Sequence, residues 1–140
     1  MGTTHQNLKD AELIKAIALP ATAGSVVTEA IDLGEAGAKD QFRADAEFEI
    51  VLPALGATPL PNGETMIAKV QTDDDSAFGS PTDIIPAALT LTGAGGVGDA
   101  EDTYRFRVPA GVERYIRIHV TGSTTIGDCS GSDATLQMVF

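Results

Sequence analysis

Apolar and polar residues alternate with a period of two along several short runs of this chain. From Ala46 to Leu52, Phe48, Ile50 and Leu52 fall on one side, with Glu47, Glu49 and Val51 on the other. A run of that kind buries one face and wets the other, which is the signature of a half-buried strand. The same pattern predicts strands over Val26 to Leu33, Thr65 to Gln71, Ala88 to Thr92, Thr103 to Val108, Arg114 to Thr121 and Ala134 to Phe140. Glycine and proline punctuate the chain between them. Strands spaced by turn signals in this way predict an all-β sandwich or barrel. The connector Pro109-Ala110-Gly111-Val112-Glu113 has the length of a hairpin loop. If its two strands pair, Arg105, Arg107, Arg117 and His119 share one polar face.

The first 20 residues read differently. Leu8, Ile14, Ile17 and Ala18, with Leu13 nearby, fit either a short amphipathic helix or an extended arm, and Pro20 ends any helix just before it. The expected organisation is therefore an N-terminal arm over 1–20 and a single β-sandwich domain over 21–140. Four connectors are long: Gly34–Asp45, Pro53–Glu64, Gln71–Ala87 and the glycine-rich Gly93–Asp102. Loops of that length in a small domain point to contacts with something else.

Size and charge narrow the function. The chain has 140 residues, one domain's worth, and a formal net charge of −11. That charge repels the phosphate backbone and anionic lipid, so neither nucleic acid nor membrane is an expected partner. The one cysteine, Cys129, forms no internal disulfide framework and no cysteine-rich zinc site. Met1 to Asp10 has neither a basic nor an apolar leader region, so no signal peptide is expected. Ile14 to Ala23 is too short and too broken by Lys15 and Pro20 to span a bilayer. Folding in a cytoplasm is the expectation.

Several local patterns suggest chemistry, and each has a plainer explanation. Gly127-Asp128-Cys129-Ser130-Gly131 resembles a protease nucleophile turn, but Ser130 stands where a glycine belongs. The two histidines, His5 and His119, are poorly placed in sequence to serve it. Asp73-Asp74-Asp75-Ser76 offers oxygen ligands, but the twelfth position of a calcium loop counted from Asp73 is Ile84, not glutamate. The Gly93–Gly98 run has no lysine and no helix after it, unlike a phosphate cradle. Glu47 and Glu49 could be a glycosidase pair. The chain has no tryptophan and only two tyrosines to build a sugar platform. The same shortage weakens the alternative reading of a lectin-like or receptor-facing binding module. No enzyme activity, cofactor or metal is expected.

Most of the basic charge has one address. Arg105, Arg107, Arg114 and Arg117 are four of nine basic residues. Either they pair with Glu47 and Glu49 on neighbouring strands, each pair worth roughly 0.2–1 kcal/mol, or they dock on a partner. Leu8, Leu13, Ile14 and Ile17 from the arm join them as candidate interface residues.

Three segments carry a family likeness: Glu29-Ala30-Ile31-Asp32-Leu33-Gly34, then Val70-Gln71-Thr72-Asp73-Asp74-Asp75, then Tyr104 to Gly111 with Arg114-Tyr115-Ile116-Arg117-Ile118. With these, and with a glycine-rich turn before the last strand, the chain resembles the cement (decoration) proteins of tailed bacteriophages, of the Bordetella short-tailed phage type. The resemblance implies a jelly-roll-like antiparallel β-sandwich on the outer surface of an icosahedral head. It implies two partners, the major capsid protein and further copies of the chain itself as a dimer or trimer. The resemblance also implies a virion protein, with assembly in the host cytoplasm, and supplies no catalytic residue.

Overall fold

Phe48, Ile50 and Leu52 are fully buried in the strand Glu47–Leu52, and the residues between them are half-buried, as the alternation requires. This strand belongs to a computed structural model that describes residues 14–34, 47–109 and 111–139. Nine strands occur among them: β1 (Ile14–Ala18), β2 (Gly24–Val27), β3 (Ile31–Asp32), β4 (Glu47–Leu52), β5 (Thr65–Asp73), β6 (Thr82–Thr92), β7 (Asp102–Arg107), β8 (Tyr115–Gly122) and β9 (Asp133–Val139). No helix occurs among the described residues.

Two antiparallel sheets stack face to face. One has the order β1-β9-β4-β7, and the other β2-β8-β5-β6 with β3 also on β8. The wiring is nested: β1 pairs with β9, β2 and β3 with β8, β4 with β7, and β5 with β6. A long hairpin rolled over itself produces this order, and it defines a jelly-roll sandwich. Phe48, Ile50, Phe106, Leu136 and Met138 from the first sheet meet Met66, Val70, Leu91, Ile116, Ile118 and Val120 from the second in one core. Each such side chain contributes about 1.5–3 kcal/mol on burial.

Two expectations need correction. Residues Ile14–Ala18, which the sequence placed in the arm, form β1, an edge strand of the first sheet. Its alternation matches β9, and the ladder from Ile14–Gln137 to Ala18–Asp133 satisfies backbone groups that a free arm would leave to water. Ile17 packs against the core, whereas Leu8 and Leu13 lie outside the described residues. The expected hairpin is also absent: β7 and β8 belong to different sheets. The connection between them arches across the end of the sandwich, with Val108 and Val112 buried at its two ends. It is tied down by Thr72, whose hydroxyl accepts from the Glu113 N–H and donates to the Tyr115 carbonyl, both at 2.8 Å.

The expected strand over Val26 to Leu33 is interrupted. Its halves, β2 and β3, lie along β8, and the buried Thr28 bridges the gap. The Thr28 N–H donates to the Ile118 carbonyl (3.1 Å), and the Ile118 N–H donates to the Thr28 hydroxyl (3.2 Å). A side-chain oxygen thus takes the place of a ladder carbonyl.

Two of the long loops, 53–64 and 93–102, pack on each other and on the turn over 123–132. Leu55 and Asp99 exchange backbone hydrogen bonds of 3.0 and 2.9 Å. Gly127 donates to the Pro59 carbonyl, and Cys129 to that of Pro20. The Glu64 carboxylate accepts from the Ser123 hydroxyl and the Thr125 N–H, each at 2.8 Å. Leu55, Leu60 and Ile126 are buried beneath. Gly98 sits at φ +74°, and a Cβ there would lie 1.8 Å from the Leu55 carbonyl oxygen. Only glycine permits that approach.

Candidate functional site

The two outer faces of the sandwich carry the charged side chains, and pleating decides which face each one joins. On the first sheet, the register places Ile14, Gln137, Glu49 and Arg105 in one row and Val139, Glu47 and Arg107 in the next. Arg105 Nε donates to Glu49 Oε2 at 2.9 Å, and Gln137 Nε2 donates to Glu49 Oε1 at 2.6 Å. Arg107 and Glu47 approach at 3.9 Å. These cross-strand pairs match the sequence expectation. At this exposure each is worth about 0–1 kcal/mol.

Arg117 and His119 lie on the opposite side of the molecule, on the outer face of the second sheet, because β8 is not the neighbour of β7. A polar chain crosses that face. Lys69 Nζ donates to Asp83 Oδ2 (2.9 Å), Gln71 Nε2 donates to Asp83 Oδ1 (3.0 Å), and Arg117 Nε donates to Gln71 Oε1 (3.0 Å). The Arg117 guanidinium covers the ring of Phe78 at 4.1 Å. Phe78 is a buried non-glycine residue at φ +51°, held at the turn after β5. Arg114 makes a two-pronged contact with Asp32, both prongs at 2.9 Å, beside β3. Arg105, Arg107, Arg114 and Arg117 therefore occupy three separate places, not one patch.

Hydrogen bonds from Gln71 and Lys69 hold the Asp83 carboxyl below the usual carboxylate range. Arg114 does the same for Asp32. His119 is pushed down from 6.5, first by burial and then by the charges of Lys69 and Arg117, with Asp83 opposing. Thr121 lies within hydrogen-bond distance of His119 Nδ1, at 3.3 Å. A histidine whose folded pKa is depressed favours its neutral form in the fold. Stability therefore declines as pH falls below the unfolded value of 6.5. Melting temperatures of wild type and His119→Gln, measured between about pH 7.5 and 5.5, should converge or cross as the wild type loses this advantage. Parallel curves would show that the imidazole is not the titrating group. The Asp83 contribution lies lower: it is present above 3.8 and lost as pH falls through the folded pKa.

Asp73, the first of the three consecutive aspartates, is buried at the end of β5. Its two oxygens accept from the Asp75 and Ser80 N–H groups. Its carboxylate lies within 4.8 Å of those of Asp74 and Glu113, but its work is to fold the turn that seats Phe78. Around Cys129, the protease-like turn is an Asx turn: Asp128 Oδ1 accepts from the Ser130 N–H at 2.9 Å and from its hydroxyl at 2.5 Å. The Cys129 thiol is buried and donates to the Pro59 carbonyl at 3.4 Å. Burial and the Asp128 charge push its pKa up, which disfavours the thiolate. The Gly93–Gly98 glycines serve backbone packing, with the Gly96 N–H donating to Asn62 Oδ1 at 2.9 Å. Val97, at the tip of this loop, is 75% exposed.

Sequence reading missed a groove of about 360 Å³ between the edge strands β1 and β2, lined by Ile14, Lys15, Ala16, Ile17, Val27 and Glu29. Lys15 reaches Glu29 across it at 3.9 Å. Its signal was the alternation of Ile14 to Ala18, which fits a strand as well as a helix.

Fold and surfaces together define an antiparallel jelly-roll sandwich with ion-paired outer faces. No protein family model matches the chain. No curated protein matches it either. Among solved structures, the crystal structure of PirA is similar over 91% of this chain and 94% of that one, at 13% identity and a TM-score of 0.44. The naturally occurring empty particles of cowpea mosaic virus (top component) are similar over 91% of this chain and 80% of that one, at 10% identity and a TM-score of 0.43. The infectious bursal disease virus Gt strain is similar over 89% of this chain and 27% of that one, at 11% identity and a TM-score of 0.32. These likenesses are remote, and the fold class rests on the strand order itself.

Proposed function

We propose that this chain is a structural virion protein, a cement protein that binds the outer surface of an icosahedral phage head. There it bridges neighbouring copies of the major capsid protein and holds the shell against the pressure of packaged DNA. The observation that carries this reading is the resemblance borne by Glu29 to Gly34, Val70 to Asp75 and Tyr104 to Ile118, on a chain whose wiring is also used by viral capsid and lectin domains. The surface suits adhesion. Loops fixed by one another need little ordering on contact, and ion-paired faces present charge without a reactive centre. A lectin would need free aromatic platforms. Tyr104 instead stacks on Phe106 at 6.0 Å, and Tyr115 lies beneath Arg114 at 5.1 Å.

A bridge needs to bury only about 1,000–2,000 Å² per site, because many sites act together. Heads of the phage that encodes the chain, stripped of it, should bind the purified protein saturably. The decorated heads should keep their DNA to a higher temperature than bare ones. Heads that neither bind it nor gain heat resistance would reject this function.

A further inference from the structure

Asn62-Gly63 is the one asparagine–glycine pair in the chain. Asparagine is a thermolabile residue, and a glycine after it leaves the next amide nitrogen uncrowded. In a free chain that nitrogen can attack the side-chain carboxamide. The Gly63 N–H gives its proton to hydroxide, and a bond forms from Gly63 N to Asn62 Cγ. The bond from Cγ to Nδ2 then breaks, and ammonia leaves with a proton taken from water. A second water opens the resulting succinimide ring at either carbonyl. The product is aspartate, or isoaspartate, in which the main chain runs through the former side-chain carbonyl.

The fold ties down both reacting groups. The Glu64 N–H donates to the Pro61 carbonyl at 3.0 Å, which closes a turn over Pro61–Glu64. Gly63 has φ +84° and Asn62 is not left-handed, so the turn is type II and holds ψ of Asn62 at about +120°. Ring closure needs the opposite rotation, which swings the Gly63 nitrogen to the side chain. That nitrogen is also occupied. It donates to the Gly93 carbonyl at 2.8 Å, and the Gly93 N–H donates back to the Glu64 carbonyl at 2.9 Å. Asn62 Oδ1 accepts from the Gly96 N–H at 2.9 Å. This last bond polarises Cγ and alone would favour attack, but no ring forms while the nucleophile is turned away and engaged. Asn62 and Gly63 are both exposed, so water is at hand and the loop contact is what restrains them.

We propose that Asn62 is a spontaneous deamidation site gated by the contact between loops 53–64 and 93–102, protected while they are paired and reactive whenever they part. The two products differ in what they do to that contact. Aspartate keeps an oxygen in place for the Gly96 N–H. Isoaspartate inserts a methylene into the main chain between residues 62 and 63. Glu64 N–H and Gly63 N–H then no longer reach the Pro61 and Gly93 carbonyls together, and the loops cannot close as before. A transient opening of this end of the sandwich thus becomes a permanent change. The reaction consumes only water and is independent of any role on a capsid.

Peptide mass spectrometry on the full chain, aged in mildly alkaline buffer, reads the conversion at Asn62 directly. The urea-unfolded chain should react at least about tenfold faster than the native one, because a closed segment reacts only through its open fraction. Gly93→Ala attacks the contact itself, since a Cβ there would lie 2.1 Å from the Pro61 carbonyl oxygen and 2.4 Å from that of Leu60. It should raise the native rate several-fold. Phe48→Ala, a core variant outside these loops, should leave the native rate within about twofold of wild type, because only the loops have to part. Should Gly93→Ala fail to fold, the comparison of native with urea-unfolded wild type decides. Asn62→Asp should melt with wild type, whereas the isoaspartate form purified from aged protein should melt lower. Equal rates in native and unfolded chains, or equal acceleration by Gly93→Ala and Phe48→Ala, overturn the proposal.

Discussion

Replacing Phe48 by alanine is expected to cost about 3–5 kcal/mol, against a total stability of about 5–15 kcal/mol for a domain of this size. Phe48 is fully buried on β4, the central strand between β7 and β9. Its ring stacks on Phe106 at 5.7 Å, and Phe106 in turn stacks on Tyr104 at 6.0 Å. Deleting the ring removes its transfer energy, leaves a cavity that two facing sheets cannot collapse to fill, and frees the Phe106 ring. Urea unfolding should show a lower midpoint at an unchanged slope. A cost below about 1 kcal/mol would mean that the sheets are not packed through this layer.

The second large effect lies outside the core. Gly98→Ala should cost about 3 kcal/mol, because it combines an unfavourable φ with a collision that parts two loops. The new methyl would enter the Leu55 carbonyl, breaking the paired hydrogen bonds between Leu55 and Asp99. Gly95, three residues earlier in the same loop, provides the control. Its φ of +62° is similar, but nothing lies within 4 Å of a Cβ there. Gly95→Ala should therefore cost about 1 kcal/mol or less. Equal costs at the two positions would show that backbone strain alone, and not loop-to-loop contact, sets the penalty.

These expectations rest on features that differ in how plainly the sequence displays them. β4 and β8 were legible because their inward residues are large and apolar while most of their outward ones are polar or charged, so the period of two is unmistakable. β1 was not, since Ile14, Ile17 and Ala18 satisfy a helical spacing equally well. Only the partner strand β9, more than a hundred residues away, decides the matter. The first half of β6 was hidden for a different reason. At a sheet edge Thr82, Asp83, Pro86 and Ala87 stay exposed, so burial imprints no alternation on them.

The link between β7 and β8 shows what local sequence cannot encode. A five-residue connector suits a hairpin and an arch between sheets alike, and the burial of Val108 and Val112 chooses between them. That choice separated the arginines. The pairs of Arg105 and Arg107 with Glu49 and Glu47 were foreseen because they need only adjacent strands. Arg114 with Asp32, and Arg117 with Gln71 and Phe78, depend on how distant segments are brought to β8.

The nested pairing sets a timetable for synthesis. Of the nine described strands β1 is made first, yet its ladder partner β9 is made last of them, and β4 must likewise wait for β7. Only β5 and β6, adjacent along the chain, can zip together early. Most native contacts therefore form only once the late strands have emerged, across wide loops, and such closures are slow. A newborn chain spends that interval with sticky strands uncovered, so crowded expression or early truncation at the carboxyl end should favour aggregates over soluble protein.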